Sequence, residues 1–268
     1  MRARAGDLLS ALLLLSNVQP VRAACIDPAQ LTHSTVSIMR HFDDAERGER
    51  PDVIGVRGTG WFLSPTTIVT AQHVTAGMML STEGWKSLEI TDGDSSQFIA
   101  ARIQRLAGAL TEKLAVIELE HAVSNARSVT IRKEPLVPEE QVVTLAYPAG
   151  RLQLVSGRFV RFGDDERLTG MALLEFYEGD NRLIIDHGAS GAPVIDCSGR
   201  VAAVISNVFT QSIQWVSSEI RISTAWGMPN VVSVPAQALD DFSKPGPKVL
   251  NSSSAYANGV DGGAGLLR

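Results

Sequence analysis

The sequence predicts an all-β protein built as two β-barrels or sandwiches that follow each other along the chain. Short apolar runs recur at intervals of about ten residues, with Gly, Pro, Asn and Asp between them. Many runs are rich in Val and Ile, which half-buried strands favour. A charged, proline-containing stretch, Arg127–Gln141, divides the runs into an earlier and a later group, and we interpret it as the link between two halves.

The apolar runs predict strands in both halves, because most of them are long enough for a strand but too short for a helix. In the first half the candidates are Thr35–Arg40, Gly60–Leu63, Thr67–Thr70, Leu88–Thr91, Phe98–Leu106 and Leu114–Leu119. In the second half they are Val142–Ala146, Leu152–Phe162, Leu173–Tyr177, Leu183–Ile185, Val194–Ile195, Val201–Val208 and Val231–Val234. One short C-terminal helix is predicted where Ala236–Phe242 follows Pro235.

The two ends of the chain differ in composition from its body. Residues 1–23 combine arginines, the apolar Leu8–Leu15 and the ending Val21-Arg22-Ala23, which together predict a secretory signal peptide. An uncleaved N-terminal anchor is the alternative. Residues 243–268 are rich in Ser, Gly, Asn, Pro and Ala, and they predict a flexible tail. The folded domain is then 24–242, with a first barrel at about 30–125 and a second at about 140–234.

Composition excludes several functional classes. The formal net charge of -5 argues against a chain-wide basic surface for nucleic acid. The longest apolar run is at the N-terminus and is too short to cross a bilayer comfortably, so no stable span is expected after signal cleavage. Two cysteines exclude a thiolate zinc site, and the histidines His33, His41 and His121 lack ligand spacing. We therefore predict no metal and no cofactor.

Two segments carry residues with possible catalytic chemistry. In Arg57–Val74, a hairpin signal at Ser64-Pro65-Thr66 joins two apolar strands, and His73 follows the second strand. In Asp186–Ile195, Ser190 lies in a glycine-rich turn that a strand follows. Each signal alone is typical of an ordinary structural residue, because histidines after strands and Gly-Ser turns are common.

Together and in this order, the two segments resemble the chymotrypsin-like (trypsin-like) serine peptidases, especially the bacterial branch with the HtrA and glutamyl-endopeptidase types. The segment Thr70-Ala-Gln-His-Val74 is similar to the family's Thr-Ala-x-His motif, and Gly188-Ala-Ser-Gly-Ala-Pro193 to its Gly-Asp/Asn-Ser-Gly-Gly motif. Two further segments match the family: Leu145-Ala-Tyr-Pro-Ala-Gly150 and Gly199-Arg-Val-Ala-Ala-Val-Ile-Ser206. The resemblance implies two six-stranded β-barrels packed together. We expect no PDZ-like extension, because only the predicted tail follows Phe242.

The resemblance also implies roles for particular residues. Ser190 would be the nucleophile and His73 the general base of a peptidase that works through an acyl-enzyme. The backbone N–H groups of Gly188 and Ser190 would form the oxyanion hole. The expected partner is a peptide or protein substrate, and the sequence makes no prediction about oligomeric state. The strand edge expected to pair with bound peptide consists of Ser206, Asn207 and Val208.

The third triad member departs from the family pattern. Lys113 occupies the position of the usual Asp, and a lysine is unable to accept the proton on His73. Glu112 is adjacent and becomes the candidate if a bulge or loop shift turns its side chain. Asp92 and Asp94 lie in a loop that could also reach the histidine. A catalytically impaired or inactive homologue that binds an extended peptide in the same cleft is the alternative function.

Specificity and cross-linking give further expectations. Ile184 lies where the family's pocket base falls, which favours a small or medium apolar residue beside the scissile bond. His187 is a candidate for the pocket rim, with a solvent-exposed turn residue as the alternative. Export would place Cys25 and Cys197 in an oxidising compartment, where they form either one disulfide or two partly buried thiols.

Overall fold

The computed structural model describes most of the chain between the predicted signal and the predicted tail. The described residues are 25–48, 51–93, 95–106, 113–164, 168–176, 188–208, 211–215, 218–222, 229–243 and 265–267. The predicted signal peptide, the candidate strand at 183–185 and most of the predicted tail lie outside them. No helix in these ranges is long and apolar enough to cross a membrane.

The first barrel is a closed antiparallel sheet of six strands. The strands are β1 (Thr35–His41), β2 (Gly55–Ser64), β3 (Thr67–Ala71), β4 (Lys86–Asp92), β5 (Ser95–Leu106) and β6 (Leu114–Leu119). They pair in the order β1-β4-β5-β6-β3-β2, and pairing of β1 with β2 closes the barrel. Two short helices, α1 (Asp44–Arg47) and α2 (Gln72–Gly77), lie in the connections.

The second barrel also closes with six strands. They are β7 (Gln141–Ala146), β8 (Gln153–Phe162), β9 (Ala172–Phe176), β10 (Pro193–Asp196), β11 (Val201–Val208) and β14 (Val231–Pro235). Their order is β10-β11-β14-β9-β8-β7, and β10 pairs with β7 to close the ring. The prediction of an all-β fold with two six-stranded barrels is confirmed. The predicted helix is a 3₁₀ helix over Ala236–Ser243.

Three further strands were not predicted as separate elements. β12 (Gln211–Trp215) and β13 (Ser218–Ile222) form a two-stranded hairpin outside the barrels. β15 (Gly265–Leu267) falls inside the predicted tail, yet it pairs with β2 at the edge of the first barrel. The first barrel therefore carries one added strand from the far end of the chain.

The apolar side chains form one core inside each barrel and a third between the barrels. The shared core contains Trp61 and Val69 from the first barrel and Leu145, Ile195 and Val204 from the second. Burying this apolar surface holds the two barrels against each other, because each buried apolar side chain contributes about 1.5–3 kcal/mol. The segments that contain Ser190 and His73 also meet at this contact.

A disulfide ties the N-terminal segment to the second barrel. Cys25 and Cys197 are bonded, with their Cα atoms 5.1 Å apart. The structure therefore contains the predicted disulfide and not the alternative of two free thiols. Ile26 and Leu31 follow Cys25 and pack into the shared core. The segment before β1 is thus part of the folded body.

Candidate active site

His73 lies in the first turn of α2, directly after β3 ends at Ala71. Its ring is partly buried, and its Nε2 is covered and has no hydrogen-bond partner among the described residues. Removal from water disfavours the charged imidazolium and lowers the pKa of His73 to about 4. The imidazole is therefore neutral near pH 7 and able to accept a proton.

Ser190 is held in a tight turn between two glycines that adopt left-handed backbone conformations. Gly188 has φ of 102° and Gly191 has φ of 90°, values that residues with a side chain rarely adopt. The Ala192 N–H closes the turn onto the Ala189 carbonyl at 3.0 Å, and Ser190 is only 4% exposed. The sequence Gly-Ala-Ser-Gly therefore encodes the turn itself.

Gly191 brings this turn against the strand that leads to His73. A Cβ atom at Gly191 would lie 2.1 Å from Thr70 Oγ1 and 3.0 Å from the Ala71 nitrogen. Only a glycine permits such a close approach. The Ser190 turn in the second barrel and the His73 segment in the first barrel thus meet at the contact between the barrels.

Thr59 in β2 connects the two barrels with three hydrogen bonds around the Ser190 turn. Its backbone N–H donates to the Ser190 carbonyl at 3.0 Å. Its Oγ1 donates to the Gly188 carbonyl at 2.6 Å and accepts from the Tyr147 N–H at 3.0 Å. All four residues that these bonds join are buried. Thr59 was not predicted as a site residue; its position in Gly-Thr-Gly was the only signal available.

The segment after β7 packs behind Gly188, one of the two predicted oxyanion-hole residues. A Cβ at Gly188 would lie 2.8 Å from the Tyr147 carbonyl oxygen, so backbone meets backbone here. Ala149 adopts φ of 49°, an unusual value for a residue with a side chain. The Tyr147 hydroxyl accepts from the Gly93 N–H at 3.1 Å, which joins this segment to the first barrel. The resemblance of Leu145–Gly150 to the family therefore falls beside the serine turn.

The described residues place no carboxylate on His73. Asp92, one of the alternatives, accepts instead from His33 Nδ1, with 2.6 Å between the two atoms. Lys113 immediately precedes β6 and is half-buried. Glu112 and Asp94 lie outside the described residues.

The pairing of β3 with β6 shows where Lys113 lies relative to His73 along the two segments. The last pair of the register is Ala71 with Leu114. His73 comes two residues after Ala71 in the chain, and Lys113 comes one residue before Leu114. The two segments therefore leave the same end of the same strand pair.

The predicted substrate edge lies on β11, beyond the end of β10. Pairing between β10 and β11 extends only to Val204, and the Gly191 N–H then donates to the Ile205 carbonyl at 2.8 Å. On the other side β11 pairs with β14 as far as Val208, with an extra residue at Ser206 that forms a bulge. Asn207 continues the strand. Bulges of this kind are common next to active sites, where they redirect the chain.

The remaining predicted site residues, Ile184 and His187, lie outside the described residues. No group of three or more His, Cys, Asp or Glu side chains with metal-binding geometry occurs in the described ranges. The arrangement that can be built is a buried serine in a constrained turn, a neutral histidine nearby and a strand edge that continues past the turn.

Comparisons with solved structures agree with the fold. The Rv3671c protease of M. tuberculosis in its active form has 19% sequence identity and a TM-score of 0.54, over 83% of this chain and 88% of that chain. The HtrA-type protease AlgW, solved as a serine-to-alanine variant with a tripeptide, has 14% identity and a TM-score of 0.55, over 80% and 60%. A serine endoprotease from Yersinia pestis has 15% identity and a TM-score of 0.52, over 81% and 65%. No curated protein matches the sequence significantly.

Two packed barrels with a serine turn at their contact define the serine-peptidase class of fold. The model of the trypsin-like peptidase domain matches residues 58–204, which is more than half of the chain. The chain belongs to the trypsin-like peptidase family. Its solved neighbours include HtrA-type proteases, as the motifs predicted.

Proposed function

We propose that this protein is an exported serine endopeptidase in which Ser190 is the nucleophile and His73 the general base. The observation that carries the proposal is the position of the Ser190 turn. The turn is bound to β2 through Thr59 and packs on the end of β3, two residues before the partly buried His73. Nucleophile and base must converge from different segments in this way for acyl transfer.

The chemistry proceeds in two halves. His73 Nε2 takes the proton of Ser190 Oγ as the oxygen bonds to the scissile carbonyl carbon. The N–H groups of Gly188 and Ser190 stabilise the resulting oxyanion. The C–N bond then breaks, the leaving amine takes the proton from His73, and an acyl-enzyme remains. Water, deprotonated by His73, then attacks the ester carbonyl carbon; the bond between that carbon and Ser190 Oγ breaks, His73 returns the proton to Oγ, and the acid is released.

We assign the third triad position to Glu112. The β3–β6 register ends at Ala71 and Leu114, so the chain at 112 is only two residues from a residue paired beside His73. Asp92, the one candidate carboxylate among the described residues, is already engaged by His33. A carboxylate on Nδ1 would fix the imidazole tautomer and raise the pKa of His73 above the value of about 4 that burial alone produces.

The pH dependence of kcat/KM tests this assignment. With Glu112 paired to His73, the acidic limb of the wild-type profile lies near pH 6.5 or above, and Glu112→Gln moves it toward pH 4. Loss of the carboxylate also lowers kcat by about 10⁴-fold. A profile and rate that Glu112→Gln leaves unchanged contradict the assignment.

The alternative is a peptidase fold that binds an extended peptide without cleaving it. Lys113 at the usual Asp position and the unpartnered His73 Nε2 among the described residues favour this alternative. Lys113→Asp distinguishes the two functions. Hydrolysis that appears only in this variant indicates an inactive wild type, whereas hydrolysis already present in the wild type supports the enzyme.

The substrate side and the location belong to the same proposal. A polypeptide pairs as an added strand with Ser206–Val208, and Ile184 favours a small or medium apolar residue beside the scissile bond. His187 is assigned to the rim of that pocket. The Cys25–Cys197 disulfide and the signal-like residues 1–23 support a secreted or periplasmic location.

Hydrolysis of denatured casein by the purified protein tests the function directly. Ser190→Ala and His73→Ala should each lower the rate by at least about 1000-fold. Ser233→Ala is the matched control, because Ser233 is buried in the same barrel and its Oγ has no partner in the described structure. A Ser190→Ala protein as active as Ser233→Ala contradicts the proposal.

A further inference from the structure

The C-terminal strand β15 lies on the first barrel beside the candidate active site. It is the last strand of that sheet and pairs only with β2 in the described chain. The antiparallel register places Gly265 opposite Arg57, Leu266 opposite Val56 and Leu267 opposite Gly55.

The backbone of β2 shows which of its two edges β15 covers. The Phe62 N–H donates to Ser34 and the Ile54 carbonyl accepts from Phe42, so the even-numbered residues of this strand face β1. The odd-numbered residues face the opposite edge, where the Thr59 N–H donates to the Ser190 carbonyl. Arg57 is also odd-numbered. The strand therefore binds the same edge of β2 that holds the serine turn.

Distance and direction relate β15 to the nucleophile. Arg57 and Thr59 are two residues apart on one strand, which corresponds to about 7 Å. Because β15 is antiparallel to β2, Gly265 is its end nearer to the serine turn, and Leu267 is the end farther away. A polypeptide that crosses Ser190 also runs away from the serine in its C-terminal half. The strand has the direction of the departing half of a substrate.

We propose that β15 occupies the edge of β2 that receives the departing half of a polypeptide substrate, so that substrate must displace the chain's own C-terminal strand. This inference rests on the proposed function. The partner that fits the edge is an extended polypeptide, recognised through main-chain hydrogen bonds as in strand addition.

The shortness of β15 makes such a competition workable. Two of its three residues, Gly265 and Leu267, lie opposite odd-numbered residues of β2 and form the hydrogen-bonded pairs. The favourable free energy of so few hydrogen bonds is opposed by the conformational entropy that the segment loses when it is ordered as a strand. Because the strand belongs to the same chain, its occupancy is independent of protein concentration. A longer substrate strand, held also at Ser206–Val208, is able to replace it.

Two proline variants of the full chain test the proposal. Gly265→Pro removes an N–H that donates to Arg57, whereas Leu266→Pro is the matched control, because the N–H of Leu266 points away from β2. Both are made in a Ser190→Ala background, so that catalysis does not enter the first measurements. Hydrogen exchange at the amides of Gly55 and Arg57 reports whether the strand is docked.

The expected result is exchange at Gly55 and Arg57 at least about tenfold faster in Gly265→Pro than in Leu266→Pro. A fluorescein-labelled peptide of the sequence 262–268 should bind the Gly265→Pro protein several times more tightly than the control. Equal exchange in the two variants, or equal peptide affinity, overturns the proposal.

The same substitutions in the active background separate this proposal from the proposed function. Gly265→Pro should lower KM for an extended peptide severalfold and leave kcat unchanged, since only occupancy of the edge changes. An unchanged KM together with faster exchange overturns the competition. Absence of turnover in every variant contradicts the peptidase function, while exchange and peptide binding still decide what occupies the edge.

Discussion

Replacing Thr59 by valine tests whether the serine turn depends on this one hydroxyl. Valine has nearly the shape of threonine but no donor or acceptor. In the wild type, Thr59 Oγ1 lies 2.6 Å from the Gly188 carbonyl oxygen and 3.0 Å from the Tyr147 nitrogen. Valine removes both of these hydrogen bonds. Each buried polar group left unpaired costs about 1–3 kcal/mol, so Thr59→Val should lower the free energy of unfolding by about 2–6 kcal/mol.

The catalytic effect should be separate from the loss of stability. Gly188 is one of the two proposed oxyanion donors, and freeing its carbonyl loosens the peptide of residues 188 and 189, which connects the Gly188 N–H to the Ser190 N–H. Loss of one oxyanion donor lowers kcat by about 100–1000-fold, so we expect kcat to fall by up to that amount with a smaller change in KM. Thr59→Ser keeps the hydroxyl and removes only a methyl group, and it should retain most of kcat.

Urea unfolding and steady-state kinetics on both variants provide the assay. If Thr59→Val unfolds within about 0.5 kcal/mol of Thr59→Ser and has the same kcat, the hydroxyl does not hold the turn and the reasoning is refuted.

Three further outcomes are expected. Gly191→Ala should lower kcat/KM by about 100-fold, because the new Cβ would lie 2.1 Å from a carbonyl oxygen. Gly199→Ala is the control and should leave kcat/KM unchanged, because Gly199 also has a positive φ but its Cβ would lie 3.3 Å from a flexible side chain. Replacing Cys25 and Cys197 together by alanine should lower the free energy of unfolding by about 2–5 kcal/mol in urea. In the Glu112→Gln protein, burial alone sets the pKa of His73 and lowers it from 6.5 to about 4, so the contribution of His73 to stability is complete above pH 6.5 and falls by about 3 kcal/mol by pH 4. Urea midpoints of the Glu112→Gln, His73→Gln double variant should show that much less pH dependence than those of Glu112→Gln.

The strands could be predicted because buried barrel positions require apolar runs. Among the barrel strands, β2 departs most from its prediction, because it was predicted over Gly60–Leu63 but extends over Gly55–Ser64. Its glycines are typical of turns, yet here they allow close packing. A Cβ at Gly58 would lie 2.5 Å from Val74, and one at Gly60 would lie 2.4 Å from Ile68. Contacts between distant segments, which no local pattern contains, decide this element.

The candidate site was predictable where a motif encodes the local backbone. Ser190 and His73 belong to segments whose turns follow from their own residues. Thr59 was missed because its partners Tyr147 and Gly188 are 88 and 129 residues away in the chain. β15 was missed for a similar reason, because three residues carry no periodicity and its pairing is with the other end of the sequence.

Covalent labelling tests directly whether Ser190 is an activated nucleophile. The purified protein is treated with a fluorophosphonate probe, which reacts with a serine only when a neighbouring base and oxyanion donors activate it. We expect stoichiometric labelling of the wild type, mapped to Ser190 by mass spectrometry, and no labelling of Ser190→Ala. A correctly folded wild type that stays unlabelled, or a label at another residue, would contradict this expectation.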